Sequence, residues 1–419
     1  MDKQLRYGPT SQSERIVTLD VIRAIALLGI LSVNMKFFST PTLQAEMAGV
    51  SYANSILDHI SQWFLFIVAD FKFISMFSML FGIGFLLFME RGKQSGIDVR
   101  RLFKRRLLIL LCFGLIHIFF FWYGDILTFY ALLGFALLLT HEKKPSYLLK
   151  ASFITISIPI ILFLSLALLL SSFEQGSSPA QQTTNQNELN RIIEVYSEGS
   201  LGDIFTQRLN DISVIMVGNV FLFALVLTMF FFGMYLWKTK IFTHTSEQLA
   251  RIRKMAVTAL LLAIPGLILA VAGEMYVDGG DSPWYFLQYA GLFMSGPTLS
   301  VFYVMSLLLL LQNEQRLTAA VKFLQPTGKM ALTNYLMQTL LCTIIFYSFG
   351  FGLFGKVGPF YGLLITIFIY ALQILYSYYW MKKFQYGPME WLWRRLMYGK
   401  LEWKTTIQRE SVATKQVSK

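Results

Sequence analysis

VTLDVIRAIALLGILSVNMKFF, residues 17–38, is an apolar run of membrane length with Asp20, Arg23 and Asn34 set inside it. A charge in hydrocarbon costs on the order of 3 kcal/mol even on lenient insertion scales, so such residues turn to a bundle interior or a water-filled path. At about 100° per residue, Arg23 and Asn34 differ by a net turn of roughly 20°, and Asp20 and Arg23 form an (i, i+3) pair. The three polar groups therefore share one stripe, about 16 Å long. Read plainly, they are a buried ion pair and an amide that fix helix packing. Read functionally, Arg23 is a clamp for an anion or carbonyl, and the stripe leads from it to Asn34.

The rest of the chain is of the same kind. Of 419 residues 55% are hydrophobic and only 14% charged, with a mean hydropathy of +0.55. A soluble chain carries about 25% charged residues, so this is a polytopic membrane protein, an all-α helical bundle. Apolar runs fall at 17–38, 71–90, 105–122, 126–141, 146–172, 211–237, 252–273, 286–312, 330–349 and 358–381, which predicts about ten transmembrane helices. The stretch 53–69 (ANSILDHISQWFLFIVAD with Asp70) is either an eleventh span or an outer interfacial helix. With ten spans, 30 of the 36 Lys and Arg residues fall on the side of both termini. The positive-inside rule then makes both termini cytoplasmic and 53–69 an interfacial helix.

The predicted organisation is a cytoplasmic tail (1–16), a bundle (17–383) with an outer loop at 173–210, and a C-terminal part (384–419). That last part comprises an interfacial helix in MEWLWRRLMYGKLEW and a disordered tail. Within the loop, ELNRIIEVYSEGSLGDIF predicts an amphipathic helix lying on the outer surface. A net charge of +12 would suggest nucleic acid for a soluble protein. Here the positive residues sit between apolar runs, so anionic membrane lipids are the expected partner and nucleic acid is not. Cys112 and Cys342 lie in apolar segments outside metal-ligand spacing, and no metal is expected.

Further candidates lie in or beside the spans. His59, Asp70 and Lys72 flank the junction of 53–69 with the second span. They form either an acid/base cluster or mere anchoring, with Lys72 placed to snorkel. His117 and Asp125 bracket an outer turn at Tyr123-Gly124; structural pairing and functional use are both open, and the aromatic run at 119–123 reads as a membrane belt. Asn334 and Gln338, four residues apart, would glue helices or bind a ligand from the inner side. Glu390 and Arg394 have the spacing of a helical salt bridge. Gly82 and Gly84 in FGIGF predict close helix packing. There is no phosphate-cradling loop, zincin histidine motif or Gly-x-Ser-x-Gly turn.

Four blocks carry a resemblance: RIVTLDVIRAIALLGILSVNM, KFISMFSMLFGIGF, FGLIHIFFFWYGDILTFYALLG and PTGKMALTNYLMQT…FGLFG…FQYGPMEWLWRR. Together they resemble the YeiB-like family of bacterial membrane proteins, a domain of unknown function, over residues 15–400. That family is in turn distantly similar to transmembrane acyltransferases, among them the heparan-α-glucosaminide acetyltransferase group and the O-acyltransferases of surface glycans. Their first helix opens Leu-Asp-x-x-Arg, as Leu19-Asp20-Val21-Ile22-Arg23 does here. The acetyltransferase group has a catalytic His ahead of an Ala-Asp at the second span, and His59 and Ala69-Asp70 fall at similar places. YeiB-like proteins have an acidic-Gly-Lys-Phe pattern where this chain reads Asp70-Phe71-Lys72-Phe73.

The resemblance implies a bacterial plasma-membrane acyltransferase that takes an acyl group from cytosolic acyl-CoA to a small-molecule, glycan or lipid acceptor at the outer face. Arg23, with Arg105 and Arg106, would hold the donor, and a His or carboxylate near the outer end would deprotonate the acceptor. The alternative is a transporter or permease for a small, anionic solute, with Asp20, Arg23, His117 and Asp125 along its path.

Overall fold

A computed structural model describes residues 16–94, 98–172, 179–243 and 245–399, which are α-helical with no β-strand among them. The expected N-terminal tail, apart from Ile16, and the polar tail after Gly399 lie outside the described residues, as do 173–178. The helices are α1 (Val17–Ser39), α2 (Thr42–Ala48), α3 (Ile56–Val68), α4 (Lys72–Gln94) and α5 (Val99–Phe120). There follow α6 (Leu127–Thr140), α7 (Pro145–Leu170), α8 (Pro179–Glu198), α9 (Leu201–Lys238) and α10 (Leu249–Tyr276). The chain continues with α11 (Pro283–Leu310), α12 (Glu314–Lys329), α13 (Ala331–Phe346), α14 (Pro359–Lys383) and α15 (Pro388–Tyr398).

Seven units are long and apolar enough to cross a membrane: α1, the joined α3–α4 unit, α7, the Val220–Lys238 part of α9, α10, α11 and α14. α6 and α13 are shorter apolar helices. α5 opens with Arg100, Arg101, Lys104, Arg105 and Arg106 and is then apolar from Leu107 to Phe120. These ten units fall where the ten apolar runs are. The ends of the bundle differ in charge. Arg91, Lys93, the start of α5, Lys238, Lys382 and Lys383 mark a basic end. At the far end carboxylates outnumber the cations Lys36, Lys72, Arg191, Arg208 and Lys356.

Local chemistry sets the helix starts. Ser55 with Asp58, and Ser200 with Asp203, form capping boxes for α3 and α9, and Asp98 accepts the Arg101 N–H to cap α5. α7, α11, α14 and α15 each open on proline, whose missing N–H is no loss there. Small residues then let helices approach: Gly291 lies against the backbone of Ala270, Gly266 against Ser295, and Gly328 of α12 against the Asp20 carbonyl of α1. α15 docks on α5 through Arg106, whose guanidinium lies 4.6 Å from the Trp393 ring while Trp393 Nε1–H donates to the Arg106 carbonyl (3.2 Å).

The structure fills in some expectations and changes others. The stretch 53–69 forms α3, which leads through a short break into α4 and keeps Ile56, Leu57, Ile60 and Phe64 on its exposed face. α3 starts at the tip of α14, where Asp58 Oδ1 accepts the Phe360 N–H (3.0 Å). It ends with Phe66 packed among Ala270 and Leu292, and the chain bends into α4 through Phe71 at φ 62°. The segment 188–205 differs, because its apolar side chains find protein rather than lipid. Ile192 and Tyr196 of α8 are buried against Phe354 and Tyr347, and the Tyr196 hydroxyl donates to Asp211 (2.5 Å). α9 begins ten residues before the apolar run that announces it, since its capping box and the Asp211 contacts hold the polar turns helical. In the aromatic run, Phe119, Phe120 and Phe121 are exposed as a belt requires, but Trp122 and Tyr123 turn inward and Trp122 stacks on Phe38 at 4.0 Å.

The two glycines of FGIGF separate cleanly. A methyl group on Gly82 would meet the Phe230 carbonyl of α9, and Gly233 sits equally close to the Met79 carbonyl, whereas Gly84 has open space. Gly82→Ala is expected to destabilise the protein by about 1–3 kcal/mol. Gly84→Ala should be neutral or slightly stabilising, by up to about 1 kcal/mol. Thermal unfolding of the two variants in one detergent checks the contrast.

Candidate functional site

At the basic end, Asp20 is buried in the first turn of α1, where the N-terminal dipole favours a carboxylate, and it accepts from Arg23 Nη1 at 2.6 Å. The Arg23 side chain remains about one quarter exposed. Asn34, near the other end of the helix, is half-buried and makes no side-chain hydrogen bond to the described residues.

A hydrogen-bonded seam runs up α13. Glu390 of α15 accepts the Leu332 and Thr333 N–H groups (2.7 and 3.0 Å) and the Thr333 hydroxyl (2.5 Å), capping the helix. This replaces the salt bridge that the Glu390/Arg394 spacing suggests, and Arg394 lies over the Tyr386 ring instead. Asn334 Nδ2 donates to the Thr327 carbonyl (3.1 Å) and Ser377 Oγ (2.9 Å), and Gln338 Nε2 donates to Gln373 Oε1 (2.9 Å). Gln373 in turn donates to the Asn334 carbonyl (2.8 Å). Asn334 and Gln338 thus do what amides inside spans commonly do, which is to hold helices together.

One residue above Gln338 the seam meets the His117–Asp125 pair. His117 Nδ1 lies 2.9 Å from Asp125 Oδ1, and Nε2 lies 2.9 Å from Thr339 Oγ1; His117 and Asp125 are each 2% exposed. Asp125 Oδ2 accepts the Thr128 N–H (2.7 Å), capping α6. An Asp125 carboxylate that accepts at both oxygens places a proton on His117 Nδ1, with Nε2 facing the Thr339 hydroxyl. The imidazole is thereby held between a carboxylate and a hydroxyl.

Asp70 and Lys72 sit in a third cluster, at the far end. Lys36 Nζ donates to Glu46 Oε1 (3.2 Å) and Asp70 Oδ2 (3.3 Å). Glu46 also accepts from the Tyr289 hydroxyl (3.3 Å), and Glu274 accepts from Gln62 and Gln288. Lys72 does not snorkel: it is fully buried, and Nζ donates to the Phe66 carbonyl at 2.8 Å. His59 takes no part, lying on the exposed face of α3 with Ile56, Leu57 and Ile60.

Comparison with known proteins adds family membership to this geometry. Residues 236–400 match the family described as a protein of unknown function, DUF418. The chain is similar to the uncharacterized protein YxaH of Bacillus subtilis (strain 168), at 36% identity over 96% of this chain and 99% of that one. The chain belongs to this family. It is also similar to the uncharacterized protein YeiB of Escherichia coli (strain K12), at 29% identity over 91% of this chain and 96% of that one. A further relative is an uncharacterized 39.9 kDa protein of Bacillus acidopullulyticus, 29% identical over 94% of this chain and 96% of that one.

The sequence did not single out Lys36, Glu46, Glu274, Gln373 or Thr339. Gln373 carries a signal that was open to reading, an amide inside an otherwise apolar run, and Glu274 stands one residue past the end of another. Glu390 makes a direct prediction. Glu390→Ala leaves the first N–H groups of α13 without their carboxylate, and a loss of about 1–2 kcal/mol is expected. Hydrogen exchange should quicken at Leu332 and Thr333 before it does elsewhere in α13.

Proposed function

We propose that the protein is an integral-membrane acyltransferase whose basic end faces the cytosol. It takes an acyl group from acyl-CoA on that side and passes it to a hydroxyl or amine acceptor reached from the far end. The orientation rests on the excess of Lys and Arg at the end that carries the start of α1 and the end of α15. The observation that carries the chemistry is the buried Asp125–His117 pair with its Nε2 turned to a hydroxyl.

Acyl transfer from a thioester needs one proton moved twice. In the proposed step the acceptor takes the place of the Thr339 hydroxyl at His117 Nε2 and gives up its proton there as it attacks the thioester carbonyl. Asp125 stabilises the imidazolium that forms, and the thiolate of CoA leaves and recovers that proton. Arg23, paired with Asp20 but partly exposed, supplies a cation for the phosphates or carbonyl of the donor. Tight burial of the pair also keeps water, a competing acceptor, from the base.

Purified protein in nanodiscs, given acyl-labelled acyl-CoA and extracted envelope lipids or glycans, should release CoA and label an acceptor. His117→Ala and Asp125→Asn should each lower the rate by about 10²–10⁴-fold while the protein stays folded. Arg23→Ala should act chiefly on KM for the donor. If no CoA is released and proteoliposomes instead show net flux of a small anion, the protein is a permease and the acyltransferase proposal fails.

A further inference from the structure

We propose that the far-end cluster around Lys36 is a binding site for a primary alkylammonium group, an inference independent of acyl transfer. Five ionisable side chains from four parts of the bundle meet there: Lys36 of α1, Glu46 of α2, Asp70 and Lys72 at the α3–α4 bend, and Glu274 of α10. Glu274 lies within coulombic range of Lys36, Glu46 and Asp70.

The hydrogen bonds gather around the carboxyl groups. Glu46 accepts from Lys36 and the Tyr289 hydroxyl, and Glu274 accepts an amide N–H at each oxygen, from Gln62 and Gln288. Counted at their ordinary charges, three carboxylates face two ammonium groups. An unbalanced negative charge inside a membrane bundle calls for a cation.

Asp70 shows where that cation goes. The residue is 8% exposed, and while Oδ2 accepts from Lys36, Oδ1 is closed to solvent and has no hydrogen-bond partner among the described residues. A buried carboxylate oxygen without a donor has lost its water and gained nothing in return, which an incoming N–H relieves. There is a way in, because the Lys36 and Glu46 side chains are each 35% exposed. The surroundings choose the kind of cation. The rings of Phe71 and Tyr289 lie 6.1 Å apart edge to face, and Tyr285 and Tyr289 lie 4.7 Å apart. Tyr289, whose hydroxyl donates to Glu46, thus brings an aromatic cluster to the site, and such surroundings suit an ammonium on a short carbon stem better than a bare alkali ion.

The test titrates the full-length protein, in nanodiscs of phosphatidylglycerol alone, with ethanolamine, ethylene glycol or sodium chloride at matched ionic strength. Ethanolamine should raise Tm saturably by about 2 °C or more. Ethylene glycol and sodium should not. Asp70→Asn should remove the effect, and Lys36→Met, which deletes the competing ammonium, should tighten the ethanolamine midpoint by about tenfold. Adding phosphatidylethanolamine to the nanodiscs separates the sources. A diminished ethanolamine response identifies a lipid headgroup as the ligand, and an unchanged one identifies a free amine. The proposal is overturned by no response in the wild type, by an equal response to sodium or ethylene glycol, or by a response that persists in folded Asp70→Asn. If Asp70→Asn does not fold, a Lys36→Met midpoint no tighter than wild type overturns it as well.

Discussion

A charge in hydrocarbon needs a partner, and so does every backbone N–H and C=O there. The bundle is arranged around that requirement. Asp20 holds Arg23, Asp125 holds His117, Glu46 and Asp70 hold Lys36, and the Phe66 carbonyl holds Lys72. All but the Asp20–Arg23 pair, which lies within α1, join segments that apolar packing alone would leave free to slide, since lipid tails compete on equal terms with leucine for a helix face. The polar contacts thereby decide which helices are neighbours. The small residues decide how close those neighbours come.

The two far-end clusters occupy opposite sides of the last turns of α1. Lys36 turns toward α2, the α3–α4 bend and α10, whereas Phe38 stacks on Trp122, which also meets the His117 ring edge-on at 6.5 Å. One helix end therefore braces both. The seam along α13 gives the His117 side a continuous support down to Glu390 at the basic end. No such polar column is seen below Lys36, where Phe73, packed against Gly29, fills the space between α1 and α4. One side is thus braced by a polar column and the other by apolar packing.

Much of the bundle was legible before any coordinates, because spanning helices announce themselves by length and hydropathy. α1, α6 and α14 match the apolar runs to within two residues. Polar helical turns were not legible: the first turns of α9 are held by a capping box and by Asp211, neither of which alters a hydropathy plot. The pairing of His117 with Asp125 was open to a sequence reading because a short turn joins them. Thr339 was not, since its meeting with His117 spans 222 positions and a threonine in an apolar run has no single meaning. Lys36 was hidden differently. A lysine near a helix end ordinarily reaches for the interface, and only the fold of α2 and of the α3–α4 bend brings Glu46 and Asp70 to it.

Phe71 stands in the left-handed region, and an L-residue there gives up about 1–2 kcal/mol. Its ring, packed beside Phe293 at 5.3 Å, offsets part of that cost. A straight helix from Ile56 to Gln94 would be about 58 Å long. The hydrocarbon layer is about 30 Å thick. One inverted backbone step thus divides thirty-nine consecutive residues of spanning hydropathy into two helices, in place of a single rod about twice as long as that layer is thick.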